Sequence, residues 1–432
     1  MRFLGIGHGN DLGDLYLRLA GRGHDVRVFV EDESSRDIMA GMMEFVPTWR
    51  DQLAWIREAG TDGILIFEGS SWGPAQEELR AQGYQVVGGS EVGDRLENDR
   101  AFGQQMMRRM GLKTAPTHEF TSFESAIEFV RKNSRRYVLK YSGHGFASTR
   151  NYVGELADGT DLLAVLRSHA SRWSYDQRPH FILMDHVSGV EVGVGAFFNG
   201  RAFLHPPNFD WEHKRFFDGD LGELTGEMGT LATYRGAERF FEATLGKMAS
   251  VLRESGYCGY INLNTIVNEE GIWPLEFTCR FGYPGFAILD ALHAERWDEI
   301  LSKLVSGKDT SLRTHDGFAI CVVLTVPTFP YRHGYELSKG APILFRGELS
   351  AAELDQLHYA EVAMEEGQLV TSGSIGYIMV ATGLGSTVEQ ARESAYALCE
   401  KVVIPNLRYR RDIGEKFLLR DHAEMIRLGW MA

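Results

Sequence analysis

Long apolar runs are missing from this 432-residue sequence, and no stretch approaches the length a bilayer requires. The first residues, MRFLGIGHG, run into a strand pattern without the charged and apolar regions of a signal peptide. A cytoplasmic protein with no membrane partner is the expectation. Cysteine is scarce. Cys258, Cys279, Cys321 and Cys399 fall without CxxC spacing, which argues against a disulfide framework or a structural zinc site and suits a reducing compartment. Positive charge is in deficit: 45 Lys and Arg against 59 Asp and Glu leave a formal net charge of −14, spread along the chain, so general nucleic-acid binding is disfavoured. Internal repeats and low-complexity linkers are missing too.

What is present is a globular composition, 44% hydrophobic and 24% charged, with length enough for several domains. The opening segment alternates apolar strands (Arg2 to Ile6, Asp25 to Val30, Gly63 to Phe67, Tyr84 to Val87) with helices near Asp11 to Ala20, Trp49 to Glu58 and Pro74 to Gln82. That alternation predicts a parallel sheet wrapped by helices. The expected class is α/β and α+β multidomain: a Rossmann-like domain over 1–98, a core unit over 99–308 with a lid at about 118–187, and a C-terminal α/β domain over 309–432. Within the core, long helices are expected over Tyr234 to Ser255 and Phe286 to Val305, and in the last domain one over Val388 to Val402.

Several constellations carry chemistry. Gly5, Gly7, Gly9 and Gly13 follow the first strand and open the first helix, where bare amides can hold an anion and where a tight reversal alone would also need glycine. Glu31 and Asp32 end the second strand, where a dinucleotide fold places a ribose acid, so a dehydrogenase is a formal alternative. RYVLKYSGHGFASTR sets Lys140 at a strand end before a loop with Gly143, Gly145, Ser148 and Thr149, a pattern suited to a triphosphate. FILMDHVSGVEVGV reads as strand, hinge and strand, offering backbone groups at Asp185, His186 and Val187 to an adenine edge and the Glu191 carboxylate to ribose. NFDWEHKRFFDGDLGELTGEMGT gathers Lys214, Arg215, Asp218, Asp220, Gly226, Glu227 and Gly229 into a charged, glycine-rich loop that suggests a positioned site. GYINLNTIVNEEGIWPLEFTCRFGYPG reads as two antiparallel strands turning at Asn268 to Gly271, which sets Asn264 beside Glu276, oxygen donors of the kind Mg²⁺ shared with a nucleotide requires, with Arg280 just beyond.

The chain resembles the phosphoribosylamine-glycine ligase (glycinamide ribonucleotide synthetase) family of the ATP-grasp superfamily over nearly its whole length. HKRFFDGDLGELTGEMGT is similar to the family's HKR, GD and TGGMG segment, and LEFTCRFGYP to its EFNCRFGDP. LVTSGSIGYIMVATGLGSTVEQARESAYAL and RRDIG resemble the family's C-terminal domain. The resemblance implies ATP with Mg²⁺ or Mn²⁺, and an amide formed from a carboxylate and an amine through an acyl phosphate. It implies Arg100, Lys140, Ser148, Asp185, His186, Val187 and Glu191 as nucleotide-binding, Asn264 and Glu276 as metal ligands, and Lys214, Arg215 and Arg280 at the reacting centre. Gly9, Asn10, Asp11, Glu68, Asp218, Asp220 and Glu227 stand as substrate candidates.

Departures cluster on the substrate side. GHGNDLGD stands where the family has GGREHA, and FEGSSWGP, with a displaced Glu68, where it has GPEAPL. Thr278 replaces the asparagine of EFN, Arg100 replaces a lysine, the glycine-loop lysine is lost within Ala147 to Arg150, and Glu227 replaces a glycine. These changes point to an altered amine, with the carboxylate, glycine or another amino acid, open to change as well. The expected partners are two small molecules, and the expected assembly a monomer or homodimer. A nucleotide-binding pseudoenzyme is a further alternative, weakened by retention of Lys140, Glu191, Lys214, Glu276 and Arg280.

Overall fold

A computed structural model describes residues 1–141, 150–173, 178–282 and 284–432. Strands β1 (Arg2–Gly7), β2 (Asp25–Val30), β3 (Glu44–Phe45), β4 (Gly63–Phe67) and β5 (Gln85–Val87) form a parallel sheet ordered β3-β2-β1-β4-β5. Helix α1 (Gly13–Gly21) buries Leu15, Tyr16 and Leu19 against one face, and Trp49, Ile56 and Leu79 cover Leu4, Ile6 and Leu65 on the other. Burial on both faces explains why β1 and β4 read as unbroken apolar runs. The strand order reverses beside β1, so the crevice at its carboxyl end falls at Gly7 to Asp11, where α/β sheets bind ligands.

The residues expected to form a lid hold an antiparallel sheet of β6 (Thr117–Phe120), β7 (Tyr137–Tyr141), β8 (Tyr152–Val153) and β9 (Phe181–Asp185), ordered β6-β9-β7-β8. Helices Phe123–Lys132 and Thr160–Ser171 pack on it through Phe123, Ala126, Val130, Leu162 and Leu166.

Strands β10 (Val190–Asn199), β11 (Asn208–Glu212), β14 (Gly229–Thr233), β15 (Cys258–Asn268), β16 (Gly271–Thr278) and β17 (Phe318–Thr325) belong to an eight-stranded sheet ordered β16-β15-β10-β11-β14-β17, continued by Tyr377–Gly385 and Leu357–Tyr359. A small hairpin of β12 (Arg215–Phe217) and β13 (Leu221–Leu224) leaves it between β11 and β14. The large sheet thus runs unbroken from the core unit into the C-terminal residues. Helix Val388–Lys401 covers the C-terminal strands.

Two expected long helices are broken. Tyr234 to Ser255 contains helices Glu238–Ala243 and Ala249–Glu254, with a tighter turn over Leu245–Met248 between them. Thr244 causes the break: its hydroxyl donates to the Phe240 carbonyl at 2.6 Å and its backbone leaves the helical region. Phe286 to Val305 contains Gly285–Leu292 and Trp297–Ser306. His293 turns extended to bridge Thr314, and Glu299 caps a new helix start by accepting from the Arg296 amide. Apolar periodicity continues across both interruptions, so pattern alone joined them.

Candidate active site

One face of the central sheet is polar and buried. On β11 the sequence NFDWE sends Phe209 and Trp211 into the core, which leaves Asn208, Asp210 and Glu212 on the opposite face. Register then sets Gly193 of β10 between Asp210 and Asn264, Gly195 between Asn208 and Asn262, and on the far side Asn264 opposite Glu276 and Asn262 opposite Thr278. A Cβ at Gly193 would stand 2.0 Å from Asp210 Oδ1, and one at Gly195 would stand 1.8 Å from the Tyr260 hydroxyl. The missing side chains on the middle strand therefore make a trough that the polar groups of the neighbouring strands fill.

Between the four-stranded sheet and the large sheet lies a cavity of about 640 Å³, lined among others by Lys140, Asp185, His186, Val187, Glu191, Lys214, Arg215 and Glu276. One oxygen of the Asp185 carboxylate accepts from Arg135 at 2.9 Å. Three cations converge on Glu276: Arg100 at 2.6 Å, Lys140 at 3.0 Å and Lys214 at 3.4 Å. Lys140, ahead of Lys214 and Arg100, holds the Glu276 carboxyl well below its usual range despite burial. Burial works against the Lys214 ammonium, but Glu212 at 2.9 Å, with Glu276 and Glu191, pushes it well above its usual range. Burial pulls Lys140 down.

A second cavity, about 460 Å³, lies toward the N-terminal sheet and is lined by Gly9, Asn10, Asp11, Glu227, Asn264, Glu276, Arg280 and Arg332 among others. Glu212, Lys214, Gly226 and Glu276 line both cavities and form their common wall. Arg280 is aimed by Glu97, which accepts from its Nε at 3.0 Å and from the Cys279 amide at 2.7 Å. Glu68 is buried behind this cavity and accepts from the Asp11 amide at 2.8 Å. Burial, then the nearby Asp11 carboxylate, pushes the Glu68 carboxyl up to about 8.

At the cavity's far rim, Glu361 lies in a cradle of backbone amides from Ser374, Ile375, Gly376 and Tyr377, at 2.6 to 3.2 Å. Successive amides of this kind are an anion site. Here the chain's own carboxylate fills it.

The structure thus brings Arg100, Lys140, Lys214, Glu191, Asn264 and Glu276 together, and sets Gly9, Asn10, Asp11, Glu227 and Arg280 around the second cavity. Gly143, Gly145 and Ser148 lie outside the described residues. Arg215 lines the first cavity and donates to the Gly222 carbonyl at 2.7 Å. Asp218 and Asp220 anchor the C-terminal segment: Asp218 accepts from the Arg411 amide, and Asp220 from Arg410 at 2.9 Å. Glu97, Asp210, Glu212, Arg332 and Glu361 were not singled out in the sequence. The polar-aromatic alternation of β11 carried the signal for Asp210 and Glu212; Glu97 and Glu361 reach the site only through long-range packing.

For a divalent cation the donor set is the test. The Asn264 amide nitrogen donates to Glu191 at 3.0 Å and to Glu212 at 3.4 Å, which turns its acceptor role over to the amide oxygen, and Asn264 pairs across the strands with Glu276. Hard oxygen donors few in number suit a cation that also takes phosphate oxygens, and the residues fit that role. Among the described residues no group of three His, Cys, Asp or Glu is arranged to hold a metal unaided. Nor is any described helix long and apolar enough to cross a membrane.

The ATP-grasp (A) domain of phosphoribosylglycinamide synthetase matches residues 98–286, and the C domain of the same synthetase matches residues 319–416. A phosphoribosylamine–glycine ligase of Clostridium acetobutylicum is 26% identical over 353 residues, 78% of this chain and 80% of that protein. One of Synechocystis is 28% identical over 356 residues, 79% of this chain and 81% of that protein. The crystal structure of the phosphoribosylamine–glycine ligase of Thermotoga maritima superposes with a TM-score of 0.72 at 23% identity, covering 96% of this chain and 100% of that one. A biotin carboxylase from Campylobacter jejuni superposes with a TM-score of 0.64 at 12% identity, covering 98% of each chain, so the fold extends beyond one chemistry.

Proposed function

The chain belongs to the phosphoribosylglycinamide synthetase family and is an ATP-grasp ligase, and we propose that it activates a small carboxylate as an acyl phosphate and passes the acyl group to a small amine. The observation that carries this reading is the common wall of Glu212, Lys214, Gly226 and Glu276 between the two cavities. A nucleotide on the lid side and a carboxylate on the other would meet across it. Lys140 and Lys214 from one side and Arg280 from the other offset charge that spreads on the transferred phosphoryl group, where most catalysis of phosphoryl transfer lies. Glu276 and Asn264 would hold a divalent cation, Mg²⁺ in this reading, which when bound neutralises phosphate charge. Glu191 and the Asp185 to Val187 backbone serve the nucleoside. A cytoplasmic setting suits an ATP-dependent ligase with free buried thiols.

The relatives are named for joining glycine to phosphoribosylamine, so that pair is the first to try. A second reading, a ligase for a different amine, is favoured by Glu361, whose carboxylate takes the amide cradle at the acceptor cavity that a phosphate would use. The test is release of ADP and phosphate with mass detection of the amide. Turnover with glycine and phosphoribosylamine supports the first reading, and turnover with other pairs alone the second. Silence across a broad panel with normal ATP binding would leave a non-catalytic nucleotide-binding module.

A further inference from the structure

Two stretches of backbone bordering the 460 Å³ cavity have the form of an anion site, and a carboxylate of the chain itself fills each. The first is the turn after β1 that leads into α1, the place where an α/β sheet receives a phosphate. Its Asp11 amide donates instead to Glu68, at 2.8 Å. Glu68 is 2% exposed, and a Cβ on Gly7 would stand 2.0 Å from its Oε2, so the carboxylate is wedged between strand and turn. A phosphate oxygen reaches that amide only by expelling Glu68.

The second is the cradle of Ser374 to Tyr377. Gly373 at φ +72° and Gly376 at φ +87° bend this segment so that successive amides converge on one point, and Glu361 occupies the point. A Cβ on Gly373 would stand 2.5 Å from the Glu361 carboxyl carbon, which shows how closely the two are seated.

The basic side chains lining the cavity are likewise engaged. Among the described residues they are His8, Lys214, Arg280 and Arg332. His8 faces Glu31 at 2.5 Å, Arg280 faces Glu97 at 3.0 Å, Arg332 faces Asp32 at 3.6 Å, and Lys214 is shared among Glu212, Glu276 and Glu191. The Asp11 carboxylate adds a further negative group to the wall.

We propose that Glu68 and Glu361 exclude phosphate from the acceptor end of this cavity, and that the amine acylated there carries no phosphate or other anionic group. The proposal rests on the ligase reading in the form that takes a different amine, and it names the class of that amine. A phosphorylated amine would have to expel a carboxylate from its amides and then lie against the remaining acids without a free counter-ion, whereas a neutral or cationic amine meets neither obstacle.

The experiment uses the full-length protein. Amide formation from ATP, Mg²⁺ and glycine or another small amino acid is followed by ADP release and mass detection, with amines in matched pairs: ethanolamine against phosphoethanolamine, and glucosamine against glucosamine 6-phosphate. Calorimetry with the same amines and with inorganic phosphate is run on protein saturated with a non-hydrolysable ATP analogue, which keeps the nucleotide cavity occupied. The expected result is a preference of about tenfold or more in kcat/KM or Kd for the phosphate-free member of at least one pair. Inorganic phosphate and phosphoethanolamine should bind Glu361→Ala and not the wild type. Turnover of phosphoribosylamine, or equal treatment of both members of each pair that reacts or binds, overturns the proposal. Where no pair reacts or binds, the phosphate arm decides: phosphate gained by the variant supports the exclusion, and a folded variant that still rejects phosphate, or a wild type that binds it equally, overturns it. Should Glu361→Ala fail to fold, Glu361→Gln keeps an oxygen among the amides and, without the charge, should still bind phosphoethanolamine more tightly than the wild type does. Hydroxamate formation from ATP, Mg²⁺, hydroxylamine and the same amino acids tests the ligase reading separately: its absence, with phosphate binding gained in the variant, removes that reading and keeps the phosphate exclusion.

Discussion

Gly193 lies opposite Asp210 across β10 and β11, and the Cβ it lacks would stand 2.0 Å from Asp210 Oδ1. Gly193→Ala should therefore push the carboxylate into the trough and overpack the sheet, at a cost of about 1–3 kcal/mol. Urea unfolding should show that loss, and calorimetry a weaker carboxylate substrate at near-normal ATP affinity. An alanine variant with wild-type stability and binding would mean that Asp210 has room to move aside.

Glu276 is the anion on which Arg100, Lys140 and Lys214 converge. Glu276→Ala removes their common partner and, with it, the carboxylate proposed to hold a cation. ADP release should fall by about 100-fold or more, the scale of losing a preorganised electrostatic group. Circular dichroism should show the fold retained; wild-type turnover would strip Glu276 of its role.

Asp14 ties the first domain to the C-terminal residues, bonding Arg18 at 2.7 Å and His358 at 2.9 Å. Burial would raise its carboxyl, yet Arg18 and His358 together bring it down to about 2. A folded pKa below the unfolded value of 3.8 contributes stability in full above that value, and the contribution is lost as pH falls toward 2. Asp14→Asn should cost on the order of 2 kcal/mol at pH 6 and progressively less on acidification. Urea midpoints across that range decide it, and a pH-independent difference would refute the linkage.

Glu361→Ala would leave the amides of Ser374 to Tyr377 without an acceptor. The variant should be less stable than wild type, and inorganic phosphate should raise its melting temperature while leaving the wild type unmoved. Phosphate stabilising both proteins alike would show that the cradle is not what Glu361 guards.

Much of this was legible in the sequence where structure is local. The boundaries of β2 and β4 and the pairing of Asn264 with Glu276 follow from alternation and one tight turn. The two broken helices were not legible, because Thr244 and His293 interrupt the backbone without interrupting the apolar pattern. Nor were the roles of Asp218 and Asp220, whose partners Arg410 and Arg411 lie far along the chain. The stretch holding Asn208, Asp210 and Glu212 read as part of a charged, glycine-rich loop; it is strand β11, and only the sheets and helices packed over it show that its polar face is enclosed. Which carboxylates are buried is a tertiary property, and so is the chemistry that burial confers.

The unbroken large sheet has a consequence for how the chain comes into being. β14 pairs through Gly229 to Thr233 with β17 and then with Tyr377–Gly385, strands that leave the ribosome much later. Until they arrive, β14 is a bare edge whose Thr230, Leu231, Ala232 and Thr233 are all buried in the finished protein. The nucleotide-binding half therefore cannot complete its own sheet during synthesis, and a fragment ending near residue 309 should recruit other chains along that edge rather than fold as an independent ATP-binding unit.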